Sequence, residues 1–252
     1  MSIQHIEEPI LLRDFRLATP NATWNQLKAN SDVNNALKVT AIKKTGGLCV
    51  YCEHKLIAKI DYQIEHFYPK KGNDNSEFGN GIANRAIEWA NLYPGCLGGT
   101  AKLAHFSVQQ DIDCRTGANK RNKNKLTCGQ KKGEADPEGV FISPLELNNQ
   151  NPIFLFNEAD GSISLNEDNC VTQNISVELG VNHITRLNLD SERLRGGRLA
   201  LATSLRSEFN KAFEFDAETV DELMDDWLEI DEEGMYGHPF ISLIYSKYSL
   251  EV

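Results

Sequence analysis

The sequence predicts an α+β protein with a helical N-terminal segment, short strands in its middle and a mainly helical C-terminal region. The apolar residues between Trp24 and Lys44 recur at helical spacing, and Gly46 and Gly47 provide a stop for that helix. Short runs of alternating apolar and polar residues follow, which are typical of small hairpins. Helical spacing returns after residue 146.

Between the two helical segments the predicted elements are short. Leu56 to Ile60 and Tyr62 to Tyr68 are predicted to form a hairpin, and Ala83 to Trp89 a helix. The stretch from Cys96 to Lys125 is rich in Gly, Asn and Lys without a clear period, which indicates a loop. Gly129 to Gly133 is expected to begin or lie in a short helix.

The pattern changes after Pro144. A second hairpin is predicted from Pro152 to Phe156 and from Ser162 to Leu165. Further helices are predicted at Ile175 to Val181, Ser191 to Phe213, Ala217 to Ile230 and Pro239 to Tyr248. We therefore divide the chain into an N-terminal helical extension (1–45), a cysteine-containing core (46–146) and a mainly helical C-terminal region (147–252).

The composition is ordinary for a soluble globular protein, with 40% hydrophobic and 25% charged residues. No apolar run approaches the roughly 20 residues that a membrane-spanning helix needs. Residues 1–16 are acidic and mixed, unlike a secretory signal, so we expect a cytoplasmic protein. A net charge of -10 argues against a protein that coats nucleic acid, although a local basic groove can still bind it.

The charges are segregated along the chain. Residues 119–132 carry no acidic residue, and their basic residues are Lys120, Arg121, Lys123, Lys125, Lys131 and Lys132. Residues 213–234 carry many acidic residues and no basic one. The basic cluster is expected to bind phosphates, and a solvated loop is the alternative. The acidic segment is expected to dock a partner, and a solvated helix is the alternative.

The cysteines indicate a metal site. Cys49 and Cys52 form a C-x-x-C knuckle, whose two thiolates can bind one tetrahedral zinc ion. In a cytoplasmic protein such cysteines are better explained as metal ligands or free thiols than as disulfides. A second pair of ligands must come from Cys96, Cys114, Cys128 and Cys170, of which Cys170 is expected to be a plain thiol.

A carboxylate and an imidazole lie side by side at Glu65 and His66, near the end of a predicted strand. Adjacent strand residues point to opposite faces, so both can serve one site only at a strand end, which Pro69 provides. Phosphodiester hydrolysis needs a base for water and a cation for the developing charge. Histidine suits the first role and a carboxylate that holds Mg²⁺ suits the second, although an isolated histidine is more often structural.

Taken together, the motifs resemble the HNH endonuclease superfamily with its ββα-metal fold. They are C-V-Y-C, I-E-H-F-Y-P-K, W-A-N-L, Cys96 and C-G-Q-K-K-G, in that order. The whole chain resembles the HNH nuclease subunit of Septu phage-defence systems (PtuB), including retron-associated relatives. That looser resemblance rests on Glu53, Trp89-Ala90-Asn91-Leu92, Ile142-Ser143-Pro144-Leu145 and Leu187-Asn188-Leu189 with Leu194 and Arg195.

The resemblance implies a role for each motif residue. His66 would be the general base, Glu65 would hold a catalytic Mg²⁺ or another divalent cation, and Asn91 would fix the ββ loop by hydrogen bonds. Structural zinc would be bound by Cys49, Cys52, Cys96 and Cys128, with Cys114 as the alternative to Cys128. Lys132 and Gly133 match the Lys-Gly that closes the motif.

One position departs from the family pattern. Many relatives have a second metal ligand directly after the last cysteine, where this chain has Gly129. Either Gln130 or a residue of the insert before Cys128 replaces that ligand, or the cation is held more weakly.

The resemblance implies a metal-dependent nuclease that cuts DNA or RNA as the effector of an anti-phage complex. In that family an ABC/SMC-like ATPase (PtuA-like) controls the nuclease. Two alternatives stay open. One is a non-catalytic zinc-binding adaptor, which Gly129 favours, and the other is a stand-alone restriction-type HNH endonuclease.

Overall fold

The computed structural model describes residues 3–58, 60–70, 84–99, 115–116, 120–121, 125–147, 151–214 and 217–248. The N-terminal helices are α1 (Ile10–Ala18), α2 (Trp24–Ala29) and α3 (Ser31–Ala41), and a 3-10 helix (Ile42–Thr45) follows. The single helix predicted from Trp24 to Lys44 is therefore broken. The break lies at Asn30, whose side chain accepts the Val33 N–H and caps α3. The predicted stop at Gly46 is confirmed, since that residue has a φ of 58°.

Strand β1 (Gln63–His66) pairs in antiparallel register with β2 (Leu92–Gly95). The prediction that Leu56 to Ile60 pairs with this strand in a hairpin is wrong. Alternating apolar and polar residues indicate a strand, but they do not identify the strand with which it pairs. The helix predicted from Ala83 to Trp89 is also wrong over its described part. Residues 84–88 are mainly a turn, and a short 3-10 helix covers Trp89–Asn91.

The turn before β2 is held by the N-terminal segment. The side-chain amide of Asn84 donates hydrogen bonds to the carbonyl groups of Pro20 and Ala22, and its oxygen accepts the Ala86 N–H. Such side-chain bonds compete with helix formation. They explain why the apolar spacing in this stretch did not produce a helix.

The segment predicted as a loop after Cys96 contains a two-stranded ladder of β3 (Arg115–Thr116) and β4 (Lys120–Arg121). Helix α4 (Cys128–Lys132) then confirms the predicted short helix. Cys114 and Lys123 lie outside the described residues.

The C-terminal region begins after a 3-10 helix at Pro144–Glu146. The predicted second hairpin is confirmed as β5 (Phe154–Phe156) and β6 (Ile163–Leu165). Its helices are α5 (Glu167–Thr172), which was not predicted, and then α6 (Val177–Arg186), α7 (Glu192–Phe213), α8 (Ala217–Leu228) and α9 (Ile241–Tyr248). The mixture of helices and small sheets confirms the predicted α+β class.

Two buried clusters hold these elements together. One joins the N-terminal helices to β2 through residues such as Leu27, Leu37 and Leu92. The other runs from the cysteine knuckle to the C-terminal helices and includes Val50 and Trp227. No helix within the described ranges is long and apolar enough to cross a membrane.

Candidate active site and metal centre

Four cysteines meet in the interior. Cys49, Cys52, Cys96 and Cys128 are all buried, and their Sγ atoms lie within 4.8 Å of one another. The Cys52 and Cys96 sulfurs are 3.9 Å apart. Four thiolates around a tetrahedral zinc, each at about 2.3 Å, would be separated by about 3.8 Å. Over the residues that the structure describes, this is the one cluster of three or more close metal-ligating side chains, and it could hold a metal ion.

Each cysteine of this cluster lies at the end of a short element. The turn at Cys49 and Cys52 is closed by an isolated bridge between Leu48 and Lys55. Cys96 directly follows β2. Cys128 begins α4 with a positive φ of 54°, and its N–H donates to the carbonyl group of Leu187.

A half-buried cation accompanies the cysteines. The Arg193 guanidinium donates a 2.7 Å hydrogen bond to Oγ1 of Thr127. Burial alone would lower the pKa of Arg193, but the neighbouring sulfurs of Cys96 and Cys52 raise it above its ordinary value. A positive group in this place balances the charge of thiolates. Cys170 is also buried but is not part of the cluster.

His66 occupies the last position of β1, next to the N-terminal helices. Its Nε2 lies 3.0 Å from the carbonyl oxygen of Ala86. A carbonyl oxygen can only accept, so Nε2 carries the proton and Nδ1 has the lone pair. The Trp24 ring packs edge-on against the imidazole, with centroids 4.6 Å apart and an interplanar angle of 89°. Burial lowers the pKa of His66 to about 4, so the ring is neutral at pH 7.

Glu65 points toward α4. A Cβ added to Gly129 would lie 2.1 Å from Oε2 of Glu65, so the carboxylate occupies the space that a side chain at position 129 would need. Lys132 is buried beside it, with Nζ 3.7 Å from Oε1 of Glu65 and a 3.0 Å hydrogen bond to the carbonyl group of His66. Burial raises the pKa of Glu65 to about 7, although Lys132 and Lys70 lower it.

Asn91 connects the loop after β1 to the turn before β2. Its amide nitrogen donates to the carbonyl groups of Tyr68 and Arg85, and its oxygen accepts the Tyr68 N–H. Arg85 directly precedes Ala86, whose carbonyl group orients His66. The side chain therefore fixes the loop after β1 and the backbone that positions the imidazole.

Glu65 and His66 line one cleft of about 450 Å³. Sequence reasoning missed several residues of this cleft. Trp24, Lys28, Lys38 and Glu134 lie far away along the chain, so no local pattern indicated them. Lys70 was not assigned a role either, although it belongs to the motif around His66.

The predicted basic cluster is only partly described. The backbones of Lys120 and Arg121 form β4. Lys125 is exposed and Lys131 is half-buried. Lys132 differs from these residues, because its ammonium group is buried against Glu65 and His66 rather than open to solvent.

No family model matches this chain. A curated Escherichia coli protein, named as a candidate HNH endonuclease of retron Ec83, is 28% identical to it over 211 residues. The alignment covers 79% of this chain and 78% of the relative. The similarity confirms the predicted resemblance to the HNH endonuclease superfamily. The narrower resemblance to the Septu subunit stays a prediction.

Proposed function

We propose that this protein is a metal-dependent HNH endonuclease that hydrolyses phosphodiester bonds of nucleic acid. The observation that carries the proposal is the placement of His66 and Glu65 at the end of β1, in one cleft and beside the four-cysteine cluster. The similarity to a relative named as an HNH endonuclease supports the same assignment.

His66 is the proposed general base. Because Nε2 is held by the Ala86 carbonyl group, Nδ1 is the atom available to accept a proton from water. The water oxygen then bonds to phosphorus, the bond between phosphorus and the leaving oxygen breaks, and solvent protonates the leaving group. Trp24 packs against the ring and limits its rotation.

Glu65 is the proposed ligand of a divalent cation. Mg²⁺ is commonly bound by one or two carboxylates together with substrate phosphates, and Glu65 supplies one carboxylate in the cleft. When bound, such a cation stabilises the charge on the phosphate and the leaving oxygen. The four cysteines fit a structural zinc ion, because all four positions of a tetrahedral site are filled by sulfur.

Cleavage by a His66→Ala variant tests this function. With Mg²⁺ and labelled DNA or RNA, we expect the variant to cut at least about 100-fold more slowly than wild type, since general bases contribute this much. The exposed His5 is a matched control, and His5→Ala should cut normally. Equal cleavage by wild type and His66→Ala would contradict the proposal, whereas a wild type that holds zinc but cuts neither DNA nor RNA would favour the zinc-binding adaptor.

We further propose that the nuclease acts within an anti-phage complex whose ABC/SMC-like ATPase binds helix α8. Val220, Met224 and Trp227 of this helix are buried. Its outer face is acidic and consists of the exposed Asp221, Glu222, Asp225 and Asp226, with Glu229 just after the helix. The retron in the relative's name supports a defence role.

Charge reversal tests the docking without removing buried residues. Changing Asp221, Glu222 and Asp225 to Lys should abolish co-purification with an ATPase encoded beside this chain, since complementary charges select partners. Changing the exposed Glu7, Asp14 and Glu138 to Lys should leave co-purification intact. Retention of the ATPase by the α8 variant would exclude this surface.

A further inference from the structure

A second cleft adjoins the one that contains His66. It has a volume of about 550 Å³ and is lined by residues 21–25 together with Asn84 and Ala86. The two clefts share the lining residues Trp24, Lys28, Lys70 and Glu134. They therefore form a continuous depression along helix α2, and Ala86, which orients His66, lies beside it.

Lysines dominate the charge of this depression. Lys28 of α2 and Lys38 of α3 are exposed, and neither ammonium group forms an ion pair with any residue in the described ranges. Lys70 lies between the clefts and is close enough to lower the pKa of both Glu65 and His66. The acidic residues that line the clefts are Glu65 and Glu134. Glu65 is paired with Lys132, so Glu134 is the acidic residue left to offset the charge of the lysines. A protein with a net charge of -10 thus presents a positive surface next to its candidate base.

We propose that helices α2 and α3 form one wall of the substrate groove, where Lys28 and Lys38 bind the phosphodiester backbone beside the bond that is cut. This inference rests on the proposed nuclease function. Trp24 at the start of α2 places this wall beside the candidate base, because its ring contacts the His66 imidazole directly. Phosphates held by Lys28 and Lys38 therefore lie next to the reacting phosphate. Lys–phosphate contacts position a substrate without reading its sequence.

The test measures binding separately from cleavage. The full chain carrying His66→Ala serves as the non-cleaving parent, and Lys28→Ala with Lys38→Ala is added to it. The matched control adds Lys211→Ala with Lys247→Ala, which removes two exposed lysines that do not line either cleft. Fluorescence anisotropy gives the Kd for single-stranded DNA, duplex DNA and single-stranded RNA over a range of salt concentrations.

Loss of two phosphate contacts reduces the salt dependence of binding. Each contact contributes about 0.9 to the slope of log K against log salt on duplex DNA. When the salt concentration rises from about 50 to about 200 mM, the Kd for duplex DNA increases by some factor. That factor should be about tenfold smaller for the Lys28/Lys38 variant than for the parent. Its Kd at the lower concentration should rise, and the control should match the parent. The probe with the largest change identifies the preferred nucleic acid.

Two results would overturn the inference while leaving the nuclease function standing. They are parent-like binding by the Lys28/Lys38 variant, and an equal loss of binding in the control. If wild type cleaves but neither pair of lysines affects binding, only the groove wall is excluded. If the parent binds none of the three probes and wild type cuts none, both proposals fail.

Discussion

Gly129 shows how one residue can be explained only by its neighbour in space. The family resemblance predicts a metal ligand at this position, and glycine has no side chain. In the structure the Glu65 carboxylate fills the space that any side chain at 129 would need. The glutamate side chain at position 65 and the glycine at position 129 therefore fit together. The absence of a side chain at position 129 thus leaves room for the glutamate side chain at position 65.

A Gly129→Ala variant tests this coupling. The added methyl group would displace the Glu65 carboxylate, and a shift of about 1 Å can reduce an enzyme's rate about 100-fold. We expect cleavage to fall by this order in a gel assay. Combining Gly129→Ala with Glu65→Asp should restore part of the rate, because aspartate is shorter.

Gly237→Ala is the control for Gly129→Ala. An added Cβ at Gly237 meets no atom within 4 Å among the described residues, so this variant should cleave like wild type. Normal cleavage by Gly129→Ala would show that the observed position of Glu65 is not needed for activity.

At the scale of elements, the four cysteines join three pieces of the chain that are far apart in sequence. The knuckle at Cys49 and Cys52, the end of β2 at Cys96 and the start of α4 at Cys128 are each short. Short strands and helices are marginal on their own. A metal ion bound to all four would contribute folding free energy on the order of 10 kcal/mol and fix α4 against the end of β2 and the knuckle.

Zinc content tests the ligand set. Wild type should contain about one zinc ion per chain by mass spectrometry. Cys96→Ser and Cys128→Ser should lose the zinc and unfold at lower temperature. Cys170→Ser should keep it, although Cys170 is also fully buried. Full zinc in Cys128→Ser and none in Cys114→Ser would instead identify Cys114 as the fourth ligand.

At the scale of the whole molecule, the C-terminal helix is tied to the cysteine knuckle. The buried carboxylate of Glu53, which follows Cys52, accepts hydrogen bonds from the N–H (2.8 Å) and hydroxyl (2.5 Å) groups of Ser242 at the start of α9. Ile241 and Ile244 of this helix are fully buried. Loss of the metal should therefore also loosen α9.

Ser242→Ala should lower the free energy of unfolding by about 1–3 kcal/mol, because the buried Glu53 carboxylate loses one of its hydrogen bonds. Urea unfolding followed by circular dichroism measures this change. Ser246→Ala in the same helix should have a smaller effect, since its hydroxyl donates to the Leu243 carbonyl group and not to a buried carboxylate. Equal effects of the two variants would mean that the bond to Glu53 adds little.

Local patterns were enough to predict much of this molecule. The knuckle at Cys49, helix α4 and the hairpin of β5 and β6 each depend on residues close together in sequence, and all three are found in the structure. The Glu65–His66 pair was recognisable for the same reason. The helix predicted from Ala83 failed because Asn84 bonds to the N-terminal segment, which no local pattern contains.

The sequence by itself determined the α+β class, the cysteine spacing and the residues next to the candidate base, since these follow from short-range spacing and side-chain chemistry. Only the tertiary structure decided that β2 pairs with β1, that Glu65 fills the space at Gly129, and that Lys132 is buried. It also placed Trp24 against His66. The physical reason is the same in each case: these contacts join residues far apart in the chain, and packing alone selects such partners.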